Sequence, residues 1–314
     1  MGRVLVTGGA GFVGANLVRA LLAEGEEVRV FDDLSVAGDG YLKGQDVDVR
    51  RAPVTDAAAL RRAVKGCDAI VHLAARSGVQ PSVEQPDRDF HVNVQGTFNV
   101  LDAARRSDVS RVVFASSGAV LAGAKPPLSE QLLPQPLSPY GASKLYGEAA
   151  LQAFQSVYEF SGIALRFSNV YGPFCSHKSS VVAAFLRNAL RRKPLVIYGS
   201  GRQTRDFLHV RDVTRAVGIA LRSPSSGVFQ LGTGVETSIN RLAHLASDAA
   251  GIPLELERRP AQPGEAARNF VDPTRARQLL RFRARVKLAE GLAETCAWMA
   301  ENESGRRSAR GSSA

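Results

Sequence analysis

The 314-residue chain is poor in sulfur and large aromatics: three cysteines, two methionines and one tryptophan. Cys67, Cys175 and Cys296 are odd in number and far apart, which argues against a disulfide framework or a zinc site; no metal is expected, and the thiols read as reduced filler. No apolar run approaches the ~18 residues of a membrane span. Met1 to Thr7 leads straight into a strand pattern without the charged and apolar blocks of a signal peptide. A cytoplasmic chain without a membrane partner is expected. Lysines are few, and the net charge of +10 is carried by arginines spread along the chain without interleaved aromatics, which argues against a nucleic-acid partner. Gly-x-Ser-x-Gly is absent, and no acid and histidine are arranged beside a serine for hydrolase chemistry. Internal repeats are absent too. The last dozen residues are small, polar and basic, so 303–314 is expected to be a disordered tail.

What is present centres on Ser138-Pro139-Tyr140-Gly141-Ala142-Ser143-Lys144. Ser138 suits an N-cap and Pro139 the first helical position, which puts Tyr140 in the first turn and Lys144 one turn along on the same face. A phenol titrates near pH ~10, and bringing it to neutrality takes about 4 kcal/mol of preferential stabilisation of the phenolate. A neighbouring ammonium and the positive end of a helix both act in that direction. Tyr140 and Lys144 are therefore candidate catalytic residues.

The rest of the chain supplies their context. Arg3 to Val6 reads as a strand, Thr7-Gly8-Gly9-Ala10-Gly11-Phe12-Val13-Gly14 as a glycine turn, and Leu17, Ala20 and Leu21 as the face of a helix. Such a turn brings backbone close to a pyrophosphate, and the helix N-terminus offers it amide donors. The second strand, Val28 to Phe31, ends in Asp32-Asp33, where Asp32 can accept ribose hydroxyls and repel a ribose phosphate, favouring NAD over NADP. Asp33 reads as an exposed turn residue.

Strand and helix then alternate: Val47 to Val49, a helix from about Asp56 to Val64, Ala69 to Leu73, and a long helix from about Arg88 to Arg105. This implies parallel strands with crossover helices. Leu73-Ala74-Ala75 is small enough for close approach to a cofactor, His72 reads as a packed, hydrogen-bonded histidine, and Asn93 as a brace acting through the backbone. Arg111 to Ala115 delivers Ser116 and Ser117 at a strand's carboxyl end, where open α/β sheets bind ligands. Ile163 to Phe167 is a sixth strand, followed by Ser168 to Pro173.

Together, Thr7 to Gly14, Leu73 to Ala75, Asn93 to Thr97, Ser116-Ser117, Tyr140 with Lys144, Asn169 to Pro173, and Arg205-Asp206-Phe207 before His209-Val210 and Asp212-Val213 resemble the extended short-chain dehydrogenase/reductases. Within them the nucleotide-sugar 4-epimerases are most similar. The resemblance runs from Arg3 to about Trp298. It departs at Leu121-Ala122, where the family has Tyr-Gly, and at Pro53, where an adenine-contacting aspartate is common.

The resemblance implies an α/β fold, a doubly wound Rossmann domain over 1–169 with about 211–233 returning to it. A smaller substrate-binding domain would comprise 170–210 and 234–302. It implies NAD held by Gly8, Gly11, Phe12, Val13, Gly14, Asp32, Leu73, Ala74, Ala75, Asn93, Ser116, Tyr140 and Lys144. A UDP-sugar or dTDP-sugar would be met by Ser117, Asn169, Arg205 and Arg268, the last following Pro263-Gly264-Glu265; guanidinium suits phosphate oxygens. A homodimer through the Arg88 to Arg105 and Tyr140 to Tyr158 helices is also implied. The expected reaction is epimerisation at C4 of the hexose, with Tyr140 taking the O4 proton, Lys144 lowering the phenol's pKa and anchoring the nicotinamide ribose, and Ser117 holding O4. Family dehydratases carry an Asp-Glu pair after the active hydroxyl and decarboxylases a glutamate. Here Gly118-Ala119 follows Ser117, which favours epimerisation over those rivals; a non-catalytic dinucleotide sensor is disfavoured because Tyr and Lys are both kept. The loop Phe174-Cys175-Ser176-His177-Lys178 borders the expected hexose site, and His177 and Lys178 offer donors to a uronate carboxylate as well. Their alternative roles are a helix cap near Ser179 for His177 and a solvated charge for Lys178.

Overall fold

The computed structural model describes residues 2–36, 38, 40–261 and 266–311, with side chains through Asn302. Seven parallel strands form the large sheet: β1 (Val4–Thr7), β2 (Val28–Asp32), β3 (Asp48–Arg51), β4 (Ala69–His72), β5 (Arg111–Ser117), β6 (Ser161–Phe167) and β7 (Gly227–Leu231). Their spatial order is β7-β6-β5-β4-β1-β2-β3. The order reverses between β1 and β4, the place where doubly wound sheets open a crevice for a dinucleotide. The first helix is α1 (Phe12–Ala23), followed by α2 (Ala57–Val64), α3 (Gly96–Arg105), α4 (Pro139–Val157), α5 (Val181–Leu190), α6 (Val210–Arg222), α7 (Ile239–Ala250) and α8 (Leu288–Gly311).

Two-residue alternation divides each central strand between two cores. Val4 and Val6 pack with α1 and α6, while Leu5 packs with α2, α3 and α4 on the opposite face. A third core joins Val182, Phe185 and Leu186 of α5 to Leu242 and Ala246 of α7 and Leu292 and Met299 of α8. Around it lie short strand pairs: Asn169–Tyr171 with Phe207–His209, and Leu195–Tyr198 with Leu256–Arg259. Thr204–Arg205 pairs with both Thr237–Ser238 and Arg268–Asn269. Between Thr204–Arg205 and Thr237–Ser238 the chain passes through α6 to β7, which completes the large sheet beside β6 in the register Gln230↔Arg166.

Local signals set several boundaries. Asp56 caps α2 by accepting from the Ala59 amide at 2.9 Å, and Ser138 caps α4 by accepting from Gly141 at 3.1 Å. The long helix expected over 88–105 is irregular: Pro86–Asp89 runs into a π-helical turn, Phe90–Gln95, before α3. The third strand lies at 48–51, slightly beyond the expected Val47 to Val49. α8 carries regular helical backbone to Gly311 through most of the stretch expected to be disordered; residues 312–314 lie outside the described set. Among the described residues no helix is long and apolar enough to cross a membrane.

Candidate active site

Gly8 turns the chain out of β1 at φ +71°, and a Cβ there would lie 2.6 Å from the Ala74 amide nitrogen. Glycine thus lets the turn rest against Leu73-Ala74. A Cβ on Gly14 would collide with the Gly8 carbonyl, so α1 sits against the turn only because that position is bare. Gly11 is the N-cap of α1 and no side chain caps it. The first-turn amides, starting at Phe12 and Val13, and the positive end of the helix are left to a phosphate group. This is a cradle shaped for a pyrophosphate.

At the end of β2 the Asp32 carboxylate accepts from the Ala10 amide at 3.0 Å and the Leu34 amide at 2.8 Å. Burial raises its pKa, and those two amides oppose the rise. Each oxygen retains a lone pair for a ribose hydroxyl. Asp32→Ala is expected to narrow the preference for NAD over NADP at least about tenfold, through loss of one repelling charge and release of two amide donors. Binding titration with both cofactors checks it; equal exclusion of NADP by the variant would place the determinant elsewhere.

Behind the cradle, His72 bonds Thr7 Oγ1 through Nδ1 at 2.7 Å and Thr97 Oγ1 through Nε2 at 3.0 Å. It is buried, and burial holds its pKa down at about 3. This is the packed histidine the sequence indicates. Asn93, assigned above to the cofactor, spends its amide on protein: Oδ1 accepts from the Arg76 amide at 2.9 Å, and Nδ2 faces Arg76 O, Asp89 Oδ1 and Ser143 Oγ. Its side chain therefore braces the loop after β4 and does not itself reach for a ligand.

The Ser117 hydroxyl lies close enough to the Tyr140 phenol to act on its titration. Lys144 is 4% exposed, donates to the Ala115 carbonyl at 2.8 Å and lies 5.8 Å from the centre of the Tyr140 ring. The three residues predicted to be catalytic are thus brought together by the end of β5 and the first two turns of α4. One expectation needs correcting. The phenol's pKa is raised, chiefly by burial, with the Ser117 hydroxyl opposing and the charge of Asp89 adding to the rise. Burial also lowers the Lys144 ammonium to about 8, against the pull of Asp89 and Glu148. Desolvation, invisible in a one-dimensional pattern, is the largest influence on the phenol. Ser116 is a second correction. Alternation turns it away from Ser117, and its hydroxyl donates to Glu148 Oε1, which also accepts from Arg166 Nε at 2.7 Å. Only its backbone remains for a cofactor.

Asn169, exposed, opens the short strand Asn169–Tyr171, with Nδ2 on the Asp206 carbonyl at 3.3 Å. Arg205 donates through Nη1 to the carbonyls of Thr204 and Ala266, both at 2.8 Å. Arg268 is held bidentately by Glu236 at 2.8 and 2.7 Å. A phosphate would have to compete with that carboxylate, which the sequence separates from Arg268 by more than thirty residues. Pro263, Gly264 and Glu265 lie outside the described residues. Lys178 Nζ reaches Ser77 Oγ at 2.9 Å, just past Leu73 to Ala75. His177 faces the Tyr41 hydroxyl at 3.4 Å, while the N-cap of α5 is Ser180.

Sequence reasoning missed the anchors. Asp206, 0% exposed, takes Thr233 N, Thr233 Oγ1 and Gly234 N, tying the loop after β7 to the site. Tyr41 bonds Ser176 Oγ at 2.9 Å, and its ring meets Phe174 at 5.1 Å and Trp298 at 6.0 Å. That packing holds Phe174 at φ +69°, a backbone state costing on the order of 1 kcal/mol or more for a residue with a Cβ. Asp206 carried a signal, its place in the Arg-Asp-Phe motif; Tyr41 carried none.

Comparison with known proteins gives these features a family. The model of the NAD dependent epimerase/dehydratase family matches residues 4–232. The UDP-glucose 4-epimerase of Mycolicibacterium smegmatis is 38% identical over 305 residues, 93% of this chain and 97% of that protein. The structure of Thermotoga maritima UDP-glucose 4-epimerase with UDP-glucose superposes with a TM-score of 0.91 at 32% identity, covering 96% of this chain and 99% of the other. MoeE5 in complex with UDP-glucuronic acid and NAD gives 0.88 at 35% identity, covering 96% and 100%. With a glycine cradle, an acidic second strand and a Ser-Tyr-Lys site on a seven-stranded doubly wound sheet, the chain belongs to the NAD-dependent epimerase/dehydratase family.

Proposed function

We propose that the protein is a 4-epimerase of UDP-hexoses, with UDP-glucose/UDP-galactose and UDP-glucuronate/UDP-galacturonate as the candidate pairs. The observation that carries this reading is the proximity of Ser117 and Lys144 to Tyr140 in a site where Gly118 and Ala119, not carboxylic acids, follow Ser117. NAD would be held by the Gly8 to Gly14 turn, Asp32 and the loop from Leu73, and when bound supplies the site's reversible hydride acceptor. Ser117 would hold the sugar's 4-hydroxyl, and Tyr140 would take its proton and later return it. Lys144 would keep positive charge beside the phenol as it ionises, and its commitment to Ala115 O fixes where that charge sits. With Gly118 and Ala119 where an acid would have to stand to protonate a departing 6-hydroxyl, the 4-ketone is not set up to lose water. It turns over in the cleft and is reduced on the other face.

Incubation with a panel of UDP- and dTDP-sugars, with products identified by NMR, tests the reading. Interconversion of C4 epimers without net NADH is expected. Loss of water or carbon dioxide would install a dehydratase or decarboxylase, and NAD binding without turnover of any sugar a sensor. A homodimer through α4 and the 86–105 helical run is part of the same proposal, supported by the exposed Phe90, Phe98 and Val157 on those elements; sizing chromatography tests it.

Lys178 supports the uronate pair. Among the described residues its ammonium has a neutral hydroxyl, Ser77, and no carboxylate partner, and burial lowers its pKa. A charge-assisted bond to a uronate would be worth roughly 1.5–3 kcal/mol. Lys178→Ala is therefore expected to lower kcat/KM for the uronates about tenfold or more, with little effect on UDP-glucose and UDP-galactose. An equal loss for both pairs would remove Lys178 from substrate choice.

A further inference from the structure

Asp89 is a buried carboxylate with an unused oxygen. It ends the short helix Pro86–Asp89 and is 1% exposed. Oδ1 accepts from Asn93 Nδ2 at 2.9 Å; Oδ2 has no partner among the described residues. Carboxylates so deep are seldom without a cation to offset the loss of water.

Two observations connect it to the catalytic helix. Asn93 Nδ2 also faces Ser143 Oγ at 3.2 Å, and Ser143 donates to the Tyr140 carbonyl at 3.0 Å, so a hydrogen-bonded chain runs from Asp89 to the first turn of α4. The π-helical turn Phe90–Gln95 contains Asn93 and keeps it buried, and such turns recur at functional sites. The second connection is charge. Asp89 acts on both Tyr140 and Lys144. Around them, Glu148 of α4 acts on Lys144 with the same sign, and His72 of β4 stays neutral at about 3. Arg76, on the loop after β4, turns its guanidinium to Gln85 Oε1 at 3.2 Å.

We propose that Asp89 is a positioning residue for the catalytic pair, fixing the Tyr140 turn through Asn93 and Ser143 and acting as the buried counter-charge that retains the Lys144 ammonium. The proposal rests on the reading of Tyr140 and Lys144 as that pair. A negative charge opposes the depression of the lysine by burial and makes the phenol less acidic. Its removal moves both titrations to lower pH.

Asp89→Asn preserves an acceptor for Asn93 and removes only the charge. In NAD-loaded enzyme, with Tyr140→Phe as the blank, ultraviolet difference titration is expected to show the Tyr140 phenol ionising at least about half a pH unit lower than in wild type. Both limbs of the kcat profile should move the same way. Ser143→Ala, which breaks the chain and keeps the charge, should reduce kcat without moving the limbs. Asp89→Glu should titrate close to wild type. An unmoved phenol in Asp89→Asn, or an equal shift in Ser143→Ala, overturns the proposal. Because the titration needs no substrate, it reads Asp89 even if no sugar is epimerised, the result that would fail the functional reading instead.

Discussion

Tyr140→Phe is expected to lower turnover at least about a hundredfold, the lower end for removal of a positioned acid-base group, while NAD still binds. The substitution takes away a single oxygen. The backbone contacts that seat the residue, its amide on Ser82 Oγ at 3.1 Å and its carbonyl on Ser143 Oγ, involve no side-chain atom of Tyr140 and persist. Asp32 and the glycine turn, at the far end of the expected cofactor, are untouched. Ser117 still accepts from the Ala119 amide at 3.2 Å. Loss of turnover without loss of cofactor content, measured by NMR exchange and by bound nucleotide after denaturation, is the diagnostic pair. Near wild-type turnover would mean that another group moves the O4 proton.

The largest effect on stability is expected at Glu148→Ala. Glu148 and Arg166 are 5% and 4% exposed in their side chains and meet through two bonds, Nε to Oε1 at 2.7 Å and Nη2 to Oε2 at 2.6 Å. Ser116 donates to the same carboxylate. Truncation leaves a guanidinium buried without its counter-ion, a change worth about 3–5 kcal/mol in such sites. Replacing both residues by leucine removes the uncompensated charge along with the pair, so the double variant should be more stable than Glu148→Ala alone. Urea unfolding at fixed NAD concentration measures both, since bound cofactor shifts apparent stability. A loss below about 1 kcal/mol in the single variant would show that water reaches Arg166 and offsets the pair.

Why one half of this site is readable in the sequence and the other is not follows from how each contact is made. The Gly8 turn, the Ser138 and Asp56 caps and the spacing of Tyr140 and Lys144 are local, fixed by a few neighbouring dihedrals, and the sequence pattern carries them. The strand alternation likewise survives in single strands, which is why the parallel sheet was legible. Glu148 and Arg166 belong to a helix and a strand that meet only after packing. Arg268 looks like a free phosphate ligand until the strand pairing of Thr204–Arg205 brings up Glu236 beside it. The rise in the Tyr140 pKa escaped for a related reason. Sequence spacing shows the cation but not the exclusion of water, which raises the phenol's pKa and is its largest influence.

The return of the chain to β7 has a consequence for how the protein is made. α1 packs against α6, yet about 190 residues lie between Ala23 and Val210. At roughly 5–20 residues per second of synthesis, Leu17, Val18 and Leu21 emerge from a ribosome roughly 10–40 s before the helix that covers them. From the synthesis of β6 until β7 follows, the nascent sheet also presents β6 as an open edge, with the aggregation hazard that unpaired strands carry. Chains stalled before Gly227 should therefore be held by chaperones or degraded, and a growing polypeptide of this kind covers that edge only once β7 has emerged, with α7 and α8 still to be made.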